Sequence, residues 1–175
     1  LIPKDAAGLE VVGYKTYDGF VSGDLKLNKC KAEAVFSSKN ALEILDETIQ
    51  EAIVCICSEA IGAMEKCYKL TIEYTQQREQ FGQSLSKFQA LQHRMVDMFM
   101  ETEFTKSFLL KVLATEDASE KTKLIYGLKN QVAKAGKKVG EEAVQLHGGM
   151  GVTQEMSVGH LSLIHISEPT RRYEI

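Results

Sequence analysis

From about Ser38 to Tyr74, apolar and small residues recur at intervals of three and four: Leu42, Leu45, Ile49, Ile53, Ile56, Ala60, Met64, Cys67, Thr71 and Tyr74. That spacing places them on one face of a long amphipathic helix. The pattern breaks at Gln80-Phe81-Gly82-Gln83-Ser84 and resumes with Phe88, Leu91, Met95, Met98, Thr102, Thr105, Phe108 and Val112, which predicts a second helix to about Leu113. Ser119 and Glu120 suit a helix restart. After them Ile125, Leu128, Val132, Ala135, Val139, Ala143 and Leu146 mark a third helix, stopped by Gly148-Gly149. Three helices of roughly 25 to 35 residues on short connections predict an antiparallel up-and-down bundle. A fourth helix is needed to close it, and room for one remains only after Gly151. Ahead of the helices, GLEVVGYKTYDGFVSGDLKLNKCKAEAVF has short β-type runs punctuated by Asp18-Gly19 and Ser22-Gly23-Asp24, which predict turns between strands. Two or three strands make no stable core alone. With Leu1 at its start, the chain is therefore expected to be a fragment that opens on the trailing edge of a β domain.

Composition narrows the function classes. The chain has 175 residues, 21 basic against 24 acidic, and a formal net charge of −3. No lysine or arginine run exceeds Lys137-Lys138 or Arg171-Arg172, so nucleic acid has no electrostatic footprint here. Apolar runs such as AIVCIC (52–57) fall far short of the roughly 18 residues of a membrane span. No charged-then-apolar leader opens the sequence. Together these predict a soluble protein in a reducing compartment, cytoplasmic in a bacterium or in the mitochondrial matrix otherwise, with small-molecule or protein partners.

Cys30, Cys55, Cys57 and Cys67 lack the paired spacing that zinc or a dithiol switch requires. On a helix Cys55 and Cys57 point about 200° apart, so they share no metal, and all four read as small buried apolar residues. His93, His147, His160 and His165 form no HExxH pattern. His93 reads as a solvated surface residue, and no metal site is expected. Met64, Met95, Met98 and Met100 read as bundle packing, and no internal repeat emerges.

The segment IGAMEKCYKLTIEYTQQREQFGQSLSKFQALQ (61–92) resembles the acyl-CoA dehydrogenase family, whose third domain is a four-helix bundle entered from a β domain. VQLHGGMGVTQE (144–155) is similar to that family's second hallmark, a Q-x-x-G-G-x-G turn. The resemblance runs from about Gly13 to Gly159. It implies a mainly α fold of three long helices with the fourth missing and a short β remnant at the N-terminus. The implied segments are 1–38 for the β remnant, 39–160 for the helical domain and 161–175 for a tail outside the fold.

The resemblance also implies a flavoprotein oxidoreductase of fatty acid metabolism, with FAD as cofactor and an acyl-CoA thioester as substrate. A carboxylate takes the α-proton, the β-hydrogen leaves as hydride to the flavin, and electrons pass on to an electron-transfer flavoprotein. Arg78, a permanent cation with a planar donor fork, would contact the FAD pyrophosphate of a neighbouring subunit in a homodimer, a homotetramer or a pair of related subunits. Gln80 and Phe81 would lie beside that dinucleotide, and Gly82 would let the chain turn. Phe88 and Gln89 would line its adenosine half. Gln145, Gly148 and Gly149 would bring backbone close to the flavin nucleotide, with His147 structural. A plain surface reading would instead pair Arg78 with Glu79 or Glu73, and make Gly148-Gly149 a simple helix stop.

The sequence departs from the family pattern at its end. The family's usual base, a glutamate near a Gly-Thr pair beyond the glycine turn, has no counterpart, so no catalytic residue is assigned and the fragment alone is expected to be inactive. LSLIHISEPTR (161–171) looks like a translated sequencing adapter, which removes Glu168 from consideration. Where some members place the base on the first long helix, this chain has Ala52. Glu51 is one residue away, about 100° around the axis, and is not carried over. Acyl-CoA oxidases and flavin monooxygenases share the fold, and a non-catalytic oligomerisation module is the alternative of another class. QLHGGMGVTQEMSVGH (145–160) is also similar to a subgroup associated with pimeloyl-type dicarboxylic acyl thioesters.

Overall fold

A computed structural model of the chain describes residues 1–16, 21–35, 40–153 and 155–166, with side chains described up to 161. The chain divides into two units, Leu1–Leu45 and Asp46–Ile175. In the N-terminal unit, β1 (Leu9–Lys15) and β2 (Val21–Leu27) pair antiparallel, from Leu9 opposite Leu27 to Lys15 opposite Val21. The register sets Glu10 opposite Lys26, whose charges meet at 3.3 Å.

Ser22-Gly23-Asp24, expected as a turn, lies inside β2. Gly23 sits opposite Gly13, and a Cβ there would stand 3.3 Å from the Val12 carbonyl oxygen. This glycine permits close pairing of two strands rather than a reversal. The expected Asp18-Gly19 turn lies outside the described residues.

The helical unit follows the sequence periodicity closely. Helix α1 spans Ala41–Gln77, α2 Gln89–Ala114 and α3 Ala118–His147. At 37 residues α1 is about 55 Å long. Asp117 caps α3, its carboxylate accepting the Glu120 N–H at 2.7 Å, so the helix begins just before the expected Ser119.

Side-chain pairs establish how the helices run. Lys138 meets Glu101 at 2.9 Å, Arg94 pairs with Glu142, and Gln131 Nε2 donates to Thr105 at 3.5 Å, so α2 and α3 are antiparallel. Tyr68 packs edge-on against Phe99 and Glu65 meets Lys106 at 3.5 Å, so α1 and α2 are antiparallel as well. Thr122 Oγ1 lies 3.0 Å from Gln50 Oε1 near the start of α1 and α3, while Tyr74 stacks on His147 near their ends. Hence the end of α1, the start of α2 and the end of α3 share one end of the bundle.

Between the helices lie Met64, Met98, Val112, Leu128, Val139 and Ala143, all essentially buried. Thr71, Thr75, Thr102 and Thr105 are buried beside them. Thr71 and Thr102 return their hydroxyls to the carbonyls four residues back at 2.8 Å, Thr105 does so at 2.7 Å, and Thr75 Oγ1 lies 2.9 Å from the Ile72 carbonyl and 3.2 Å from the Met95 sulfur. Each hydroxyl is thereby satisfied by a carbonyl of its own helix, while Thr75 and Thr105 also make one contact each to a neighbouring helix.

Several expected core positions face outward: Leu42, Leu45, Ile56 and Met100 are exposed, and so is Cys55. Cys57 takes the buried position beside Ile56, because the face that meets α2 and α3 is one residue off the stripe drawn there. Burial pushes the Cys57 and Cys67 thiols up to about 11.

After α3 the chain makes a short 3-10 turn, Gly148–Val152, and enters α4, Ser157–Ile166. Val158 is buried and Leu161 half-buried against the core. Thus a fourth helix begins, but its ten residues compare with 26 to 37 in the others, so the long closing helix is not formed among the described residues. Residues 161–166, expected to belong to a tail outside the fold, instead continue α4, which Val158 and Leu161 anchor at i, i+3 spacing. Residues 167–175, with Glu168 and Pro169, lie outside the described residues.

Candidate functional site

Arg78 occupies the junction where α1 ends and a hairpin begins. Its N–H donates to the Tyr74 carbonyl at 2.8 Å, the last helical bond of α1, and its own carbonyl accepts the Leu85 N–H at 2.9 Å. The backbone is satisfied on both sides while the side chain is exposed. None of the ion pairs among the described residues involves Arg78, so the pairing with Glu73 or Glu79 does not form.

The hairpin is minimal: β3 (Glu79–Gln80) pairs with β4 (Gln83–Ser84) around a two-residue turn. Phe81 and Gly82 both have positive φ, 55° and 80°. This is the reversal that matches strand twist, and it favours Asn-Gly over a bulky first residue. A phenylalanine in the left-handed region costs about 1–2 kcal/mol, and this one is also 90% exposed. An aromatic ring held in an unfavourable backbone conformation and presented to the outside serves neither the turn nor the core, and such strain gathers at functional sites.

Gln80 is exposed, with its amide nitrogen donating to the Glu79 carbonyl at 2.7 Å. Phe88 is half-buried and meets Phe81 edge-to-face, with centroids 6.2 Å apart. Gln89, the first residue of α2, is exposed. Hairpin and helix start therefore present one cation, two amides and an aromatic pair.

The second segment ends α3. Gln145 is exposed, and its carbonyl accepts the Gly148 N–H. Gly148, at φ 61° and ψ −142°, has a conformation that is almost exclusively glycine's. A Cβ on Gly148 or on Gly149 would meet nothing within 4 Å, so both are open on that side. Gly151 differs: it is buried, and a Cβ there would stand 2.5 Å from the Val144 carbonyl oxygen. The three glycines thus have three physical reasons, and that of Gly151, packing against α3, was not drawn from the sequence.

The structure brings the two segments to the same end of the bundle, on either side of the Tyr74–His147 contact. His147 is buried, in keeping with a structural role, and His93 is exposed. Tyr74, read from the sequence only as a core position, is the residue that joins the segments. Glu51 and Ala52 both face outward near the start of α1, while Arg78 follows its last turn.

The profile of the "Acyl-CoA dehydrogenase, C-terminal domain" family matches residues 42–165. Among relatives, "Acyl-CoA dehydrogenase IpdE2" of Mycolicibacterium smegmatis is 33% identical over 107 residues, which cover 61% of this chain and 33% of that protein. "Acyl-CoA dehydrogenase, short-chain specific" of Megasphaera elsdenii is 29% identical over 112 residues, covering 63% of this chain and 29% of that protein. The chain therefore spans about a third of the length of these relatives. Among solved structures, a variant of the "Tcur3481-Tcur3483 steroid ACAD" superposes with a TM-score of 0.79 at 28% identity, over 94% of this chain and 44% of that one. Butyryl-CoA dehydrogenase from Megasphaera elsdenii shares the fold with a TM-score of 0.82 at 22% identity, over 94% and 45% of the two chains. No helix among the described residues is long and apolar enough to cross a membrane.

Proposed function

The chain belongs to the acyl-CoA dehydrogenase family, through that family's C-terminal helical domain, and from this premise we propose that it forms one wall of an FAD site in an enzyme that dehydrogenates an acyl-CoA thioester between its α and β carbons. The observation that carries the reading is Phe81, strained and almost wholly exposed beside an exposed Arg78 that no carboxylate neutralises among the described residues. A surface serving only stability would place Asn at position 81.

The residues fit a flavin dinucleotide. The guanidinium of Arg78 suits a pyrophosphate, because its fork donates two parallel bonds to phosphate oxygens. Phe81, propped edge-on by Phe88, offers an apolar face, and Gln80 and Gln89 offer amides on either side of it. At the end of α3, Gln145 and the open faces of Gly148 and Gly149 let backbone come close to a ligand without an intervening side chain. All of these groups lie on the outside of their own bundle. They are therefore suited to a dinucleotide seated on a neighbouring subunit, in a homo-oligomer or a pair of related chains.

A flavin held by these residues would supply the hydride acceptor for the substrate's β-hydrogen, and an electron-transfer flavoprotein is the proposed onward acceptor. This chain's part is binding and orientation. Proton abstraction is assigned to none of the described residues.

The test replaces Arg78 in the intact enzyme. A charge-assisted contact contributes about 1.5–3 kcal/mol, so Arg78→Gln is expected to weaken FAD binding by roughly 10- to 150-fold. Arg78→Lys, which keeps charge but loses the fork, should fall between. FAD titration of the apo-protein measures both. Unchanged affinity with collapsed turnover at saturating flavin would remove Arg78 from the cofactor site.

A further inference from the structure

The last turn of α1 and the last turn of α3 meet through one side-chain pair. The Tyr74 ring lies on the imidazole of His147, with centroids 4.4 Å apart and planes inclined by 25°. His147 is 2% exposed, and its Nδ1 lies 2.8 Å from the Ala143 carbonyl oxygen. A carbonyl oxygen only accepts, so Nδ1 carries a proton and donates this bond. Nε2 is buried and has no partner among the described residues. Leucine or phenylalanine would fill this place without leaving a polar atom unpaired, so packing alone does not account for an imidazole.

The pair stands between the two proposed cofactor segments. The carbonyl of Tyr74 accepts the N–H of Arg78, and His147 immediately precedes Gly148. The turn also folds back against this histidine, since a Cβ on Gly151 would stand 3.1 Å from His147 Cβ. What the imidazole adds over a phenyl ring is the bond from Nδ1, which fixes the rotation of the ring and hence the tilt of Tyr74 against it.

We propose that Tyr74 and His147 are positioning residues for the cofactor: their stack sets the spacing and tilt of the Arg78 hairpin relative to the Gly148–Gly149 turn, so that one dinucleotide engages both. The inference rests on the assignment of those two segments to a dinucleotide.

The experiment is a double-mutant cycle on FAD affinity in the apo form of the intact enzyme, with Arg78→Gln, His147→Ala and both together. His147→Ala removes the stack and the Nδ1 bond, and is expected to weaken FAD about tenfold. If the stack acts by aiming Arg78, the double variant binds FAD little worse than Arg78→Gln alone. Single effects that multiply in the double variant would overturn the proposal, as would native affinity in His147→Ala. Should Arg78→Gln alone leave affinity unchanged, the site assignment fails first and the proposal falls with it.

Should His147→Ala not fold, His147→Phe and His147→Leu replace it, since both fill the space and only phenylalanine keeps a flat face. A loss for phenylalanine smaller than the roughly tenfold loss for leucine supports the stack, because phenylalanine keeps the flat face and forfeits only the Nδ1 bond to Ala143. Equal affinities overturn it.

Discussion

A methyl group added at Gly151 would stand 2.5 Å from the Val144 carbonyl oxygen, 3.0 Å from Val144 Cα and 3.1 Å from His147 Cβ. Two of these atoms are backbone of α3 and cannot swing aside as a side-chain end would. The clash is relieved only by lifting the turn off α3, which also loosens Val158 at the start of α4. Overpacking of this kind costs about 1–3 kcal/mol. For a chain of this size the melting midpoint of Gly151→Ala should fall by roughly 3–12 °C. Gly149 has no such neighbour, so Gly149→Ala should stay within about 0.5 kcal/mol of the native stability. Its cost should appear in the cofactor instead, because the methyl occupies the face proposed to meet the dinucleotide. Thermal melts by circular dichroism and FAD titrations on both variants measure the contrast. A Gly151→Ala protein that melts like the native one would refute the packing argument. A Gly149→Ala protein with native FAD affinity would refute the assignment of the turn.

Phe81→Asn creates the Asn-Gly pair that a two-residue hairpin turn favours. It should raise stability by about 1 kcal/mol through relief of the left-handed φ, while FAD affinity falls with loss of the ring; a variant that gains in both would show that Phe81 is not a cofactor contact. The buried thiols of Cys57 and Cys67 are raised from 9.0 to about 11. Between these values the unfolded chain binds fewer protons than the native one, so both groups make stability fall as pH rises. Replacing both cysteines with alanine should flatten the decline of stability between pH 9 and about 11 in denaturant titrations, and an unchanged slope would contradict their burial.

The course of the three long helices and the break at Phe81-Gly82 were legible in the sequence because they are local properties. A period of three and four repeated over seven or more turns admits one regular structure, and glycine where the period fails marks the reversal. Arg78, Gln80, Phe81, Phe88, Gln89, Gln145, Gly148 and Gly149 were chosen as two short clusters through the resemblance of their local motifs to the acyl-CoA dehydrogenase family. Periodicity gave no reason for them to work together, since the register between helices depends on contacts such as Tyr74 with His147 and Glu101 with Lys138, made by residues far apart in the chain.

Tertiary packing also decided that Cys57 rather than Ile56 turns inward, and that Gly23 pairs within a strand. It likewise drew 161–166 into a short fourth helix through Val158 and Leu161. Three glycines of one motif looked alike in the sequence. Only the fold separated them, by backbone angle at Gly148, by open space at Gly149 and by the nearness of Val144 at Gly151. A residue type states what a position tolerates, whereas its surroundings, assembled from distant parts of the chain, determine which of those tolerances is used.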